Sequence, residues 1–160
     1  MARTLIGLIA DTHGLLRPEA VAALQGCVHI VHAGDIGSRT GEPRGVLDTL
    51  AQIAPLTVVR GNNDRADWAA TIPHAADIEF ERVRIHVLHI LDELAIDPAA
   101  AGVNVVVSGH SHQPCVETRD GVLFVNPGSA GPRRFSLPVS VARLWVGDAH
   151  AEAELVTLLK

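Results

Sequence analysis

Cysteine is scarce in this chain of 160 residues, and the scarcity limits the kind of fold it can form. Cys27 and Cys115 are too few for a disulfide scaffold, and no CxxC pair occurs that would indicate a redox or zinc motif. We expect both to be reduced thiols with a structural role, as is usual in the cytoplasm.

Positive charge and long apolar runs are also scarce. Lys and Arg number 13 against 18 Asp and Glu, a formal net charge of −5, whereas general binders of nucleic acid or anionic membranes have a basic surplus. The apolar run Leu5–Ala10 is shorter than a signal-peptide core, and no segment approaches the ~18 apolar residues of a spanning helix. The sequence predicts a cytoplasmic protein that binds neither a membrane nor a long nucleic acid.

Aromatic residues make up only 3% of the chain, so the core must be built from Val, Leu, Ile and Ala. With 48% hydrophobic residues that core can be sizeable, which excludes general disorder. The length predicts one domain over residues 1–160. Nine His and 14 Gly stand out, and function is expected where they cluster.

Three early segments share one plan, in which a short β-branched run ends in a turn rich in Gly, Asp and Asn. The strands predicted from these runs are Thr4–Ala10, Val28–His32 and Leu56–Val59. Between them, Pro18–Leu24 and Gly45–Ile53 have helical spacing. This alternation predicts a parallel sheet with functional side chains at the carboxyl ends of its strands.

The second half alternates apolar and charged residues, which favours antiparallel hairpins. The predicted strand pairs are Ile78–Leu88 around Glu81–Arg82, Val116–Val125 around Asp120–Gly121, and Ser140–Val146 with Ala151–Leu158 around Gly147–Asp148. A buried strand is predicted at Val103–Val107, and a short helix at Asp97–Ala101. The whole pattern predicts two sheets, the first parallel and the second antiparallel.

Five polar clusters follow predicted strands: Asp11-Thr12-His13, Gly34-Asp35, Gly61-Asn62-Asn63-Asp64, His89 and Gly109-His110-Ser111-His112. Within the first and last clusters the candidate side chains are two residues apart, which in an extended chain points both to the same side. Carboxylate, imidazole and amide donors without thiolate suit Mn, Fe, Co, Ni or Zn.

Each cluster by itself has an ordinary explanation. A single Asp-x-His is more often a cap followed by a turn histidine, Asp35 fits a turn, and His89 fits a hydrogen-bonded core position. Five such clusters at strand ends of one chain are hard to explain as coincidence, so together they favour a metal site.

In combination these motifs resemble the successive motifs of the calcineurin-like metallophosphoesterases, most of all the small bacterial and archaeal phosphodiesterases of that superfamily. Asn126-Pro127-Gly128-Ser129 and Gly131-Pro132-Arg133-Arg134 match the same subgroup, so the resemblance covers nearly the whole chain. It implies an α/β fold, a two-sheet mixed β-sandwich flanked by helices, and hydrolysis of a small phosphoester, more specifically a phosphodiester.

The resemblance also implies two divalent metal ions per chain. The implied ligands are Asp11, His13, Asp35 and His112 for one ion, and Asp35, Asn62, His89 and His110 for the other. Asp35 would then bridge two ions ~3.5–4 Å apart, and a shared hydroxide would attack phosphorus in line.

Two positions depart from the family's pattern. Asn63 stands where many members have a histidine as general acid, and an amide cannot donate a proton in that way. Ile90 replaces the glycine that usually follows the ligand His89, and a β-branched residue does not adopt the positive φ open to glycine. We expect slow reaction of poor leaving groups, with Asn63 at the catalytic position, and weaker binding of the second metal.

Other residues near the motifs have supporting roles in this interpretation. Arg133, with Arg134, is expected to bind the substrate phosphate, and a surface arginine pair is the alternative. His32 and Asp64 are expected to orient ligands.

Rival functions remain open at this stage. A retromer subunit of the same family acts as a scaffold, but all seven ligand positions are kept here, which favours the enzyme. A phosphomonoesterase and a nuclease are further alternatives, and a homo-oligomer is possible from the sequence.

Overall fold

The computed structural model describes residues 3–159, so Met1, Ala2 and Lys160 of the predicted 1–160 domain lie outside the described residues. Within that range ten strands occur: β1 Thr4–Ile9, β2 His29–His32, β3 Leu56–Val58, β4 Ala75–Phe80, β5 Val83–Leu88, β6 Val105–Val107, β7 Cys115–Arg119, β8 Val122–Asn126, β9 Val139–Gly147 and β10 His150–Leu159. The α-helices are α1 Pro18–Ala23 and α2 Val46–Ile53, and single 3₁₀ turns span Asp67–Ala69 and Leu91–Glu93.

The strands form two five-stranded sheets, and both are mixed. The first has the order β10-β9-β1-β2-β3, with β1, β2 and β3 parallel and the C-terminal pair antiparallel. The second has the order β4-β5-β6-β8-β7, with a parallel centre and antiparallel edges. The predicted division into a parallel and an antiparallel sheet is therefore wrong. The last hairpin returns to the first sheet, and the buried β6 pairs in parallel with both neighbours.

The two sheets pack face to face on a core of aliphatic side chains from both, such as Leu8 on β1 and Ile85 on β5. A second cluster lies between the first sheet and the helices, where Leu24 and Leu50 are fully buried. The outer face of the second sheet is covered by the segment around the 3₁₀ turn Leu91–Glu93. Burying each large side chain contributes ~1.5–3 kcal/mol, so this layered core fixes the strand ends that carry the site.

The predicted strands and both longer helices are present, with bounds that differ by a few residues. The short helix predicted at Asp97–Ala101 is wrong: the Ala101 amide donates to the Asp97 carbonyl, but the next two amides donate to Ala99 and Pro98, so the segment forms a turn. Gly102, at φ +76°, then turns the chain toward β6. Over residues 3–159 no helix combines the length and the apolar character needed to cross a membrane.

Two of the three hairpin turns occur where the sequence predicts them. Glu81–Arg82 and Asp120–Gly121 have positive φ at both central residues, the geometry that matches the twist of paired strands. The third turn is Asp148–Ala149, one residue later than predicted, because Gly147 still belongs to β9.

Candidate metal centre

Loops at the carboxyl ends of five parallel strands bring the seven predicted ligands together. β1, β2 and β3 of the first sheet lead to the loops at Asp11, Asp35 and Asn62, while β5 and β6 of the second lead to His89 and His110. All seven belong to one connected set of close nitrogen and oxygen atoms.

The first ligand group consists of Asp11, His13 and His112, whose donor atoms face a common point. The Nε2 atoms of His13 and His112 are 3.4 Å apart. Oδ1 of Asp11 lies 4.0 Å from Nε2 of His13 and 3.6 Å from Nε2 of His112. These atoms all lie within 4.8 Å of one another, which is the spacing of a candidate metal site.

The second ligand group consists of Asn62, His89 and His110. Oδ1 of Asn62 lies 3.0 Å from Nε2 of His89 and 3.1 Å from Nδ1 of His110. Nδ1 of His89 is 2.7 Å from the carbonyl oxygen of Ala33, which can only accept, so this nitrogen carries the proton. That tautomer leaves Nε2 directed toward the site.

Asp35 lies between the two groups. Its Oδ2 is 3.8 Å from Nε2 of His13 and 3.4 Å from Nε2 of His89. Asp11 also approaches the second group, with Oδ1 3.9 Å from Nε2 of His89, a proximity that the sequence did not predict.

Five of the seven candidate ligands have positive φ although none is glycine. The angles are 54° for Asp11, 47° for His13, 57° for Asp35, 71° for His110 and 62° for His112. The expectation that an extended chain aligns Asp11 with His13 and His110 with His112 is therefore wrong in its geometry. The pairs converge through left-handed turns, a costly conformation that clusters at functional sites.

Two glycines let the loops approach one another closely. Gly34 has φ +103°, and a Cβ there would lie 2.6 Å from Nδ1 of His89. A Cβ on Gly61 would collide with the backbone nitrogen and carboxylate of Asp35. Larger residues would separate Asp35 from the second ligand group.

Burial and neighbouring charges act in opposite directions on the pKa values of Asp11, Asp35 and His89. Burial raises the pKa of Asp11 from 3.8 to about 7, with the nearby Asp35 adding to the shift and His89 opposing it. Burial also acts to raise the pKa of Asp35, but the hydrogen bond and charge of His89 and the donors of Asn63 hold it well below 3.8. Burial acts to lower the pKa of His89, and Asp35 and Asp11 outweigh it and raise that pKa.

The histidines of the first ligand group stay neutral near pH 7. Burial lowers the pKa of His112 to about 4 and lowers that of His13, in both cases with help from the Arg134 charge. Oδ1 of Asp11 and Nδ1 of His112 are buried without hydrogen-bond partners. Neutral imidazoles beside an unpaired carboxylate oxygen are the donor set that a first-row divalent cation satisfies, so the residues fit a metal.

Asp64 ties two of the loops together. Its carboxylate is buried and accepts from the backbone amides of Asp35, Ile36, Gly37 and Gly61 at 2.8–3.3 Å. This agrees with the orienting role predicted for it, because the loop of Asp35 is fixed against the loop of Asn62.

His32 links the loops of Asp11 and Asp35 through hydrogen bonds. It is fully buried, burial lowers its pKa to about 3, and its Nδ1 accepts from the Gly34 amide at 3.1 Å. Its Nε2 then donates to Oγ1 of Thr12 at 3.0 Å, and Thr12 donates to the Ile36 carbonyl. The chain of bonds joins neighbours of both carboxylate ligands.

The Asn126–Ser129 motif has a bracing role that sequence reasoning missed. Nδ2 of Asn126 donates to the Gly109 carbonyl and to Oγ of Ser111, both at 3.0 Å. Oγ of Ser129 donates to the Asp11 carbonyl at 3.1 Å. The signal was the motif itself, whose polar residues hold the loops on either side of the first ligand group.

Asn63 lies against Asp35, where it donates twice. Its backbone amide reaches Oδ1 at 2.8 Å and its Nδ2 reaches Oδ2 at 3.0 Å. Arg133 is exposed and donates to the Leu159 carbonyl at 3.3 Å, and it also lines the cavity beside His13.

Ile90 does not distort the loop after His89. Its φ of −108° and ψ of 110° are extended, so no glycine is required, and His89 is buried with both ring nitrogens close to partners. The physical reason given for a weaker second site, a lost positive φ, is therefore wrong for this backbone.

Comparison with known proteins identifies the family. Residues 5–149 match the calcineurin-like phosphoesterase superfamily domain, so the chain belongs to that superfamily, as its motifs predict. A protein named as a probable metallophosphoesterase from Methanothermobacter thermautotrophicus is 32% identical over 164 aligned positions, which cover 95% of this chain and 91% of the relative.

Solved structures share the fold. A structure described as a novel archaeal phosphodiesterase has a TM-score of 0.75 at 19% identity and covers 96% of this chain and 100% of its own. Vacuolar protein sorting 29 from Cryptosporidium parvum has a TM-score of 0.75 at 18% identity, over 96% of this chain and 97% of its own. At these identities the likeness establishes the two-sheet sandwich and nothing finer.

Proposed function

We propose that this metallophosphoesterase is a dimetal-dependent phosphodiesterase acting on a small phosphoester. The observation that carries the proposal is the position of Asp35, whose Oδ2 lies 3.8 Å from Nε2 of His13 and 3.4 Å from Nε2 of His89. One carboxylate within reach of both ligand groups is what two closely spaced cations need, because it offsets their repulsion.

In this proposal Asp11, His13, Asp35 and His112 hold one ion, and Asp35, Asn62, His89 and His110 hold the other. A pair of divalent ions, when bound, lowers the pKa of water toward neutrality and neutralises phosphoryl oxygens. The chain itself positions the ligands: Ala33 fixes the tautomer of His89, and Asn63 restrains Asp35. No serine or cysteine nucleophile is required.

Diester hydrolysis, rather than monoester hydrolysis, is supported by the archaeal structure described as a phosphodiesterase. Asn63 remains the proposed position for leaving-group effects and Arg133 for phosphate binding. Manganese is among the proposed ions, and a cytoplasmic location and a homo-oligomer remain predictions from the sequence.

Metal analysis combined with two chromogenic substrates tests the function. The purified protein is expected to contain two divalent ions per chain and to hydrolyse bis(4-nitrophenyl) phosphate faster than 4-nitrophenyl phosphate. The Asp35→Asn variant, which keeps the side-chain shape, is expected to lose both properties. Faster monoester turnover would favour a phosphomonoesterase, and no metal with no turnover under any added divalent ion would favour a scaffold.

A further inference from the structure

A cavity of about 740 Å³ opens beside the first ligand group, and His13 and His112 form part of its wall. Three arginines line it, Arg39, Arg133 and Arg134, and its described lining contains no carboxylate. Its volume is within the ~300–1,000 Å³ range of small-molecule sites, so it has room for a substituent besides the scissile phosphate.

The cavities on the other side of the metal centre have a different character. One, of about 420 Å³, adjoins His110, and its lining has two carboxylates, Asp92 and Glu117, and one arginine, Arg119. Another, of about 410 Å³, adjoins Asn62 and His89, and its lining has one arginine, Arg60, and one carboxylate, Glu93. Cationic groups are thus concentrated on the side of the first ligand group.

Arg39 and Arg134 line this cavity from two different loops. Both are exposed, Arg39 on the loop between β2 and α2 and Arg134 on the loop between β8 and β9. The charge of Arg134 already reaches the first ligand group, because it helps to lower the pKa of His13 and His112 and opposes the rise in the pKa of Asp11. Phe135 is 87% exposed at the same wall, so the cavity also has an apolar surface.

We propose that Arg39 and Arg134 form a subsite for a second anionic group, so that the preferred substrates are small phosphodiesters whose retained substituent carries a further phosphate or phosphonate. The inference rests on the proposed diesterase activity. Paired guanidinium groups bind such groups through charge and planar hydrogen bonding, and a lone diester, with its single charge, would leave the subsite empty.

Two matched substrates test the subsite: ethyl 4-nitrophenyl phosphate and 2-phosphonoethyl 4-nitrophenyl phosphate. In both, an oxygen from water bonds to phosphorus and 4-nitrophenolate leaves, so the reaction is the same and only the retained group differs, with or without a phosphonate. The wild type is expected to prefer the phosphonoethyl ester at least tenfold in kcat/KM, mainly through KM. That ratio should fall at least fivefold in Arg39→Gln and in Arg134→Gln, and should shrink at high salt.

Control variants separate charge from folding. Arg82→Gln, on the β4–β5 turn, should keep the wild-type ratio, and Arg134→Lys should keep more of it than Arg134→Gln because the charge remains. A ratio near one in the wild type, or a ratio unchanged in both Gln variants, would overturn the proposal.

Product binding gives a readout that does not need turnover. Calorimetric titration of the protein with its divalent ions should show tighter binding of 2-phosphonoethyl phosphate than of ethyl phosphate, and Arg134→Gln should reduce the difference. If neither ester is hydrolysed but this difference holds, the diesterase proposal fails and the anion subsite stands. Equal binding of the two products would remove the subsite whatever the activity.

Discussion

The two ligand groups differ in how firmly the protein holds them. In the second group, Nδ1 of His89 is 2.7 Å from the Ala33 carbonyl and Nε2 is 3.0 Å from Oδ1 of Asn62. In the first group, Nδ1 of His112 is buried without a partner, and its Nε2 faces Nε2 of His13 at 3.4 Å. A backbone hydrogen bond thus orients His89 in the second group, whereas His112 has no such restraint and the backbone bond in the first group, from the His110 amide at 3.0 Å, restrains Asp11 instead.

This difference indicates that the second site is the better organised before a metal binds. An imidazole with a fixed tautomer loses less freedom on binding, and the outer hydrogen bond raises its basicity. We therefore expect the tighter ion at the second site, the reverse of what the Ile90 substitution suggested from the sequence.

The largest expected effect removes the residue that joins the two groups. Asp35→Ala should lose both ions, because no shared carboxylate would then offset the repulsion between the two cations. Metal content after extensive dialysis measures this, with Asp48→Ala on the exposed face of α2 as a control that keeps two ions. Two tightly bound ions in Asp35→Ala would show that Asp11, whose Oδ1 approaches both groups, is the bridge instead.

Removing one histidine from each group tests whether the two sites bind their ions independently and with different affinity. His112→Ala should weaken mainly the first ion and His89→Ala mainly the second, each by more than the ~10–100-fold that outer partners cost. Calorimetric metal titration of both variants resolves the two affinities. If His112→Ala removed the tighter ion, the proposed order of the sites would be reversed.

Much of the fold could be predicted because its signals are local. Buried β-branched runs such as Thr4–Ala10 and turn pairs such as Asp120–Gly121 specify strands and hairpins within a few residues. Pairing could not be predicted in the same way, since nothing local states that β9 joins β1 rather than the second sheet.

The candidate site was predictable in composition and less so in geometry. The motifs named all seven converging side chains, but positive φ at His13 or His110 depends on surrounding loops, because those residues rarely adopt it alone. Asp64 contacts three amides of the Asp35 loop, and Ser129 contacts Asp11. These contacts join residues 27 to 118 positions apart, so the motifs did not indicate which residues would pair.

Proton release should accompany metal binding at the first site. Since the pKa of Asp11 is raised to about 7, its carboxyl holds a proton below that pH, which a metal must displace. Affinity for that ion should fall by up to about tenfold per pH unit below 7 and level off above it. By the same shift, the metal-free fold loses stability as pH rises from about 4 to about 7.

Titrations between pH 5.5 and 8, in buffers of different ionisation enthalpy, count the protons released. Asp35, with its pKa held low, adds no slope in this range, and neither does His112, with a pKa of about 4, whereas His89, whose pKa is raised, releases its proton with the second ion. Affinity for the first ion that is independent of pH would contradict the environment described for Asp11.

A smaller effect is expected at Asn63, which donates two hydrogen bonds to Asp35. Asn63→His should speed hydrolysis of alkyl esters relative to nitrophenyl esters, by less than the ~10²–10⁴ of a well-placed acid, because the surroundings were not built for imidazole. Rates across leaving groups of graded pKa measure it. Asn63→Ala, which removes the amide without adding a donor, should keep the steep dependence of the parent, and an equally steep dependence in Asn63→His would refute the idea.

The smallest effect on metal affinity is expected at Ile90, which follows the second-group ligand His89. Ile90 has φ −108°, so a glycine there gains no conformation that the loop needs, while His89 stays bonded to Ala33. Ile90→Gly should leave the affinity of the second ion within about twofold, and should lower the free energy of unfolding by roughly 1 kcal/mol or more through lost packing and added chain freedom. Metal titration and chemical denaturation of the same sample separate these two quantities, with His89→Ala as the variant that does lose the ion. A tenfold gain in affinity with glycine would mean that Ile90 strains the site. The position of His89 would then depend on the conformation of the loop rather than on the hydrogen bond to the Ala33 carbonyl.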